Sequence, residues 1–178
     1  MNSVRLVLLS AAIAVGLWSP MVMAQEVHVT SENGIVTLSV LAQKPYALIA
    51  SGQEKTPVLT VICQQKGKKI AHALKFSPGG ILTEQEFSTF GSSASLVLEM
   101  TIGEHKYSTT WAAHGDLRSF DYVGKTEAER LQFLNTLLTV PVVAIDFTPF
   151  LTGKPVSSTF DLTGLRAEFD KHSECAMK

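Results

Sequence analysis

Apolar and polar residues alternate along the first part of the chain. "EVHVTS" and "IVTLSV" each put every second residue on an apolar face, and "ENG" separates them. Such alternation marks a half-buried strand. Asn33-Gly34 is a strong hairpin signal, because both central residues of a type I′ turn take positive φ. Val27 and Val29 are therefore expected to pair across that turn with the Val36–Val40 run. "PYALIA" is read as a further short strand and "SGQEKTP" as a polar loop. "VLTVIC" and "KIAHALKF" form two strands joined at "QQKGK". The stretch Ser77 to Ser95, rich in Gly and Ser, is expected to be a long loop. "LVLEMTIG" and "KYSTTWAA" make another hairpin about Glu104-His105, with Trp111 on its second strand.

The period changes after Phe120. In "KTEAERLQFLNTLLT" the residues Leu131, Leu134, Leu137 and Leu138 recur at helical spacing, with Glu127, Glu129 and Arg130 on the other side. Thr126 is placed to cap this helix, and Glu129, three residues on, completes a capping box. "VPVVAIDFTPF" and "SSTFDL" read as strands separated by a "GKP" turn. A last helix brings Leu165 and Phe169 together at i, i+4, backed by Leu162, while Arg166, Glu168 and Asp170 face water. Strands, then helix, strand pair and helix give an α+β fold: an antiparallel sheet or sandwich with two helices packed on it. Neither an internal repeat nor a second domain is visible.

The front of the chain bears on compartment. Arg5 followed by "LVLLSAAIAVGLW" is a charged n-region and an apolar h-region. Pro20 breaks that segment, and Val22 and Ala24 occupy the −3 and −1 positions of a cleavage site before Gln25. Residues 1–24 are thus expected to be a signal peptide, and residues 25–178 one exported domain that is periplasmic or secreted. An uncleaved anchor is the competing reading, against which the Pro20 break and the small −1 residue stand. No later segment is apolar for long enough to span a membrane, so no insertion of the mature chain is expected. Cleavage leaves 154 of the 178 residues, with 14 basic against 16 acidic. That balance argues against a nucleic-acid partner, which calls for clustered Lys and Arg. The basic run "KGKK", Lys66 to Lys69, is read as a solvated hairpin turn rather than a binding patch.

An exported chain with two cysteines most simply makes one disulfide. Joining Cys63 to Cys175 closes a loop of about 112 residues, worth roughly 4–5 kcal/mol in the chain-entropy model. It also holds down a terminal helix that would otherwise fray. Free thiols with redox or metal duty are the alternative, disfavoured by the absence of CxxC and of nearby His ligands.

Candidate chemistry is sparse. His28, His72, His105, His114 and His172 fall in no HxH or HExxH spacing that would set two imidazoles on one metal. His114, with Asp116, Arg118 and Asp121 nearby, could be an acid–base group, although a polar turn after the Trp111 strand explains it as well. "GSSAS" lacks the GxSxG of a nucleophile elbow, and no phosphate loop is present. Asp146 and Asp161 are conceivable as paired carboxylates, but Asp161 in "FDLTGL" is better explained as a cap of the final helix. Phe87 and Phe90, aromatics on a polar stretch, are the candidate binding residues, against the alternative that they fold back on the core. No catalytic residue, metal or cofactor is expected.

In order along the chain stand "VTLSVLA", "PVLTVICQQKGK", "VLEMTIGEHKYSTTWAA" with Trp111, "FLNTLL", a strand leading to "TPF", and "VSSTFDLTGLRAEFDKHSEC". With these, residues 36–175 resemble the VasI/TagO-like exported proteins associated with type VI secretion. The ending, an FDLTGL strand-turn followed by an amphipathic helix and a cysteine, is the most specific part. The resemblance makes the TVIC cysteine the partner of Cys175. It implies a non-enzymatic accessory role at the cell envelope, with an envelope or secretion-apparatus protein as partner. A small exported hydrolase or enzyme inhibitor is the rival reading, with His114, Asp116 and the Ser77–Ser95 stretch around a cleft. A small-ligand carrier, with an apolar cavity between sheet and helices, is a third.

Overall fold

Alternation along the chain becomes a sheet with one oily and one wetted face. The structure, a computed structural model, describes residues 26–48, 52–80, 87–90, 93–113, 118–149 and 154–177, with backbone alone at 87–90 and 93–94. The expected signal peptide lies outside these residues. In chain order the strands are β1 His28–Glu32, β2 Ile35–Leu41, β3 Tyr46–Ala47, β4 Glu54–Lys55, β5 Val58–Lys66 and β6 Lys69–Ser77. They continue with β7 Phe87–Phe90, β8 Ser93–Ile102, β9 His105–Ala113, β10 Phe120–Tyr122, β11 Val142–Phe147 and β12 Val156–Asp161. Helix α1 is Glu127–Thr139, α2 is Leu165–Asp170, and a 3-10 turn covers Ser173–Cys175.

Ten strands form one antiparallel sheet in the order β1-β2-β5-β6-β10-β9-β8-β11-β12, with β7 also paired to β8. The small strands β3 and β4 pair by themselves. Asn33 and Gly34 take φ of 51° and 73°, as a type I′ turn requires, and set the register Val29↔Leu38. One expectation fails here. Residues Ser77 to Ser95 are not simply a long loop, because Phe87–Phe90 pairs in register with Ser93–Leu96 as a hairpin arm. Strand β10 was likewise hidden in sequence. Its three residues slot between β6 and β9 through Phe120↔Phe76 and Phe120↔Ala113.

The sheet curls back on itself. The Gln43 N–H donates to the Thr159 carbonyl at 2.8 Å, joining the chain beyond β2 to β12. Inside the curl Phe76 of β6 lies 5.3 Å from Phe147 of β11, 6.3 Å from Trp111 and 6.4 Å from Phe160, all edge to face. Such pairs add about 0.5–1.5 kcal/mol each beyond their area burial. Trp111 is fully buried, and its indole N–H donates to Thr109 Oγ1 at 2.9 Å, whose hydroxyl donates to the Leu98 carbonyl at 3.1 Å. Its polar handle is thereby satisfied within the core.

Helix α1 seats on the sheet through Tyr122, which stacks on Phe133 at 4.4 Å and meets Trp111 edge on. The buried face is Phe133, Leu134, Leu137 and Leu138. Leu131, expected on that face, is only half-buried. The capping box forms with a shift: Thr126 Oγ1 accepts from the Glu129 N–H at 3.1 Å, while the Glu129 carboxylate accepts from the Lys125 N–H at 2.8 Å. Helix α2 buries Leu165 and Phe169, and Arg166 reaches Asn135 of α1 at 3.4 Å.

Tyr46 gives the fold an alkaline limit. Its hydroxyl donates to the Pro78 carbonyl at 2.8 Å, and burial pushes its pKa up to about 12. The folded state therefore holds a proton that the unfolded chain releases near pH 10. Stability from this group is complete below pH 10 and is lost as the pH rises from 10 to 12. Tyr46→Phe should flatten that decline in a melting-temperature series while lowering stability at neutral pH by about 1 kcal/mol for the lost hydrogen bond. An unchanged alkaline slope would remove Tyr46 from this role.

Candidate functional site

The cysteines expected to pair do so. Cys63 on β5 and Cys175 in the 3-10 turn are disulfide-bonded, with Cα atoms 5.0 Å apart and both side chains fully buried. His72, opposite Cys63 in the β5–β6 ladder, completes the attachment. Its Nε2 lies 3.0 Å from the Cys175 carbonyl oxygen, and its ring stacks on Phe169 at 5.9 Å. His72 thus holds the end of the chain against the sheet.

This attachment builds a surface groove of about 480 Å³. Ile70, Ala71, His72, Leu131 and Ala176 line it, which is where the half-buried Leu131 is placed. Lys66, Lys68 and Lys69 line it too, with Glu127 at the start of α1. The hairpin turn expected at "KGKK" is present, with Gly67 at φ 62°. Lys66 and Lys69 are direct cross-strand partners. Like charges placed opposite each other destabilise a hairpin. Among the described residues no carboxylate pairs with Lys66, Lys68 or Lys69, whereas Lys75, Arg166 and Lys171 each have an acidic partner. Three exposed ammonium groups against one carboxylate, with Ile70, Ala71 and Leu131 in the same lining, make a surface suited to an anionic, partly apolar ligand.

The remaining candidates are dispersed. Phe87 and Phe90 sit on β7 opposite Leu96 and Ser93. His114 and Asp116 lie outside the described residues. Exposed His28 and His105 begin β1 and β9, and His172 follows α2. Asp146 pairs with Ser157 and Glu99, while Asp161 is opposite Val142. Four residues of strand separate the two aspartates, roughly 13 Å, so they do not act as one pair. Asp161 does not cap α2 either. Its Oδ1 accepts from the Thr163 N–H at 2.9 Å in a local turn, and Gly164 is the cap residue. The short side chain bonds two residues on before the helix begins. Among the described residues no three His, Cys, Asp or Glu side chains gather to hold a metal, and no helix is long and apolar enough to cross a membrane.

The sequence did contain the groove's signal in the lysines, but nothing in the spacing links residues 66–71 to Leu131 and Ala176. Compared with protein-family models, curated proteins and solved structures, the chain matches none of them.

Proposed function

We propose that this protein is an exported, non-enzymatic binding module of the bacterial envelope, and that the lysine-walled groove holds an acidic segment of a partner protein. The observation that carries the reading is the Lys66–Lys69 cross-strand pair, which has no ion-pair partner among the described residues and lines, with Lys68, a groove that also presents Ile70, Leu131 and a single carboxylate, Glu127. An acidic peptide relieves that repulsion and covers Ile70 and Leu131 in the same step. The disulfide supports the export reading, since such bonds persist in oxidising compartments. An accessory role in type VI secretion rests on the sequence resemblance, and fold alone does not assign it.

The test is retention of envelope proteins by the immobilised chain with its disulfide intact. Wild type should retain a defined envelope or secretion-apparatus protein, identified by mass spectrometry. Lys66→Glu/Lys68→Glu/Lys69→Glu should lose that same protein with little change in melting temperature, because all three side chains are exposed. Equal retention by the reversed variant would remove the groove from the account.

A further inference from the structure

Strand β1 ends the sheet, and all five of its residues are exposed. The hydrogen-bond phase of this edge follows from the ladders. Beyond both ends of the β2–β5 register, the Gln65 N–H donates to the Gly34 carbonyl and the Ala42 N–H to the Pro57 carbonyl. Even-numbered residues of β2 therefore bond to β5, and odd-numbered ones to β1. In the register Glu32↔Ile35, Thr30↔Thr37, His28↔Ser39, it is His28, Thr30 and Glu32 that bond to β2. Val29 and Ser31 turn their N–H and C=O groups outward, to the free edge.

Natural edge strands are usually blunted by Lys, Pro or a bulge. β1 has neither Lys nor Pro, and its pairing with β2 runs unbroken through five residues. The side chain of Val29 is 37% exposed there.

The sequence of this edge, His28-Val29-Thr30-Ser31-Glu32, is complementary to itself when reversed. We propose that β1 pairs antiparallel with β1 of a second copy of the chain, about a two-fold axis at Thr30. This register sets Val29 opposite the partner's Ser31, and Ser31 opposite the partner's Val29. Both are outward-facing positions, so each pair exchanges two backbone hydrogen bonds. It also sets His28 opposite the partner's Glu32 twice, in the non-hydrogen-bonded pairs where side chains approach most closely. Sliding the strands by two residues keeps the backbone phase but puts His28 opposite Thr30 and loses both His–Glu pairs. Pairing of imidazole with carboxylate thus selects the register and the occupant. The contact is short, so the dimer belongs to the weak, concentration-dependent class. It is independent of the lysine groove.

Sedimentation of the purified chain with its disulfide formed tests this. Wild type should dimerise reversibly with concentration. Ser31→Pro removes an outward N–H while sparing every bond to β2, and should abolish the dimer with the fold intact. Glu32→Lys should loosen it by roughly tenfold or more, since both His28–Glu32 pairs are lost. Adding His28→Glu to Glu32→Lys restores opposite charges and should recover the wild-type association. A dimer unaffected by Ser31→Pro lies elsewhere, and one that ignores both charge variants uses another register; either overturns the proposal. A chain that stays monomeric at every concentration also overturns it, and leaves this edge to a foreign strand.

Discussion

Replacing Cys175 with Ser should lower folding stability by roughly 2–5 kcal/mol, toward the upper end because the closed loop is long. The bond spans a sequence separation of 112 residues, which includes most of the sheet and both helices. Cross-linking residues so far apart restricts the unfolded chain strongly. The native state loses something as well. Cys175 is fully buried, and the His72 contact and the Phe169 packing depend on the same short segment. A six-residue helix such as α2 is too short to persist on its own. Hydrogen exchange should therefore accelerate most between Leu165 and Met177 before the sheet itself opens. Cys63→Ser should give the same loss from the other end. Equal melting temperatures for variant and wild type under oxidising conditions would contradict the stabilising role. Total stability of a small domain is only about 5–15 kcal/mol, so the variant should sit near its unfolding threshold at growth temperature.

Phe76→Ala should cost about 3–5 kcal/mol. Phe76 is fully buried, and its ring meets Trp111, Phe147 and Phe160 from three other strands. None of those strands is a ladder partner of β6, so the rings meet across the interior of the curl and truncation opens a void there. The cavity adds to the lost transfer energy because the surrounding aromatics relax only partly. Phe76→Leu refills most of the space and should cost much less. Near-UV circular dichroism should report loosening about Trp111 in the alanine variant. A loss below about 1 kcal/mol for alanine would mean that the interior is not packed about this ring.

What the sequence revealed depends on how local each signal was. Asn33-Gly34, the Thr126 cap and the hairpin turn at Gly67 act within a few residues, and each lies where its chemistry points. The disulfide was legible for a different reason, since a chain with two cysteines has one intramolecular pairing. Strands β4, β7 and β10 were missed because two, four and three residues are too few to display a period. Their strand character comes from neighbours supplied by β3, β8, β6 and β9. Phe133 is buried against Tyr122, while Leu131 lines the groove and is only half-buried. Asp161 accepts from the Thr163 N–H in a local turn, and the helix beyond it starts at Gly164, whose φ is 91°. The groove is the least legible feature. Its lysines read as a solvated turn until the C-terminal residues and α1 are placed beside them, which requires the tertiary fold.

The most direct test is site-specific photocrosslinking in the living cell, with the reactive residue at Lys68 and a control at exposed Lys106 on β9. An acidic segment seated in the groove should give one defined envelope protein adduct from position 68, none from position 106, and no adduct when Lys66 and Lys69 are changed to Glu. An adduct from position 68 that survives those reversals, or no adduct at 68 at all, would contradict the groove as the partner's site.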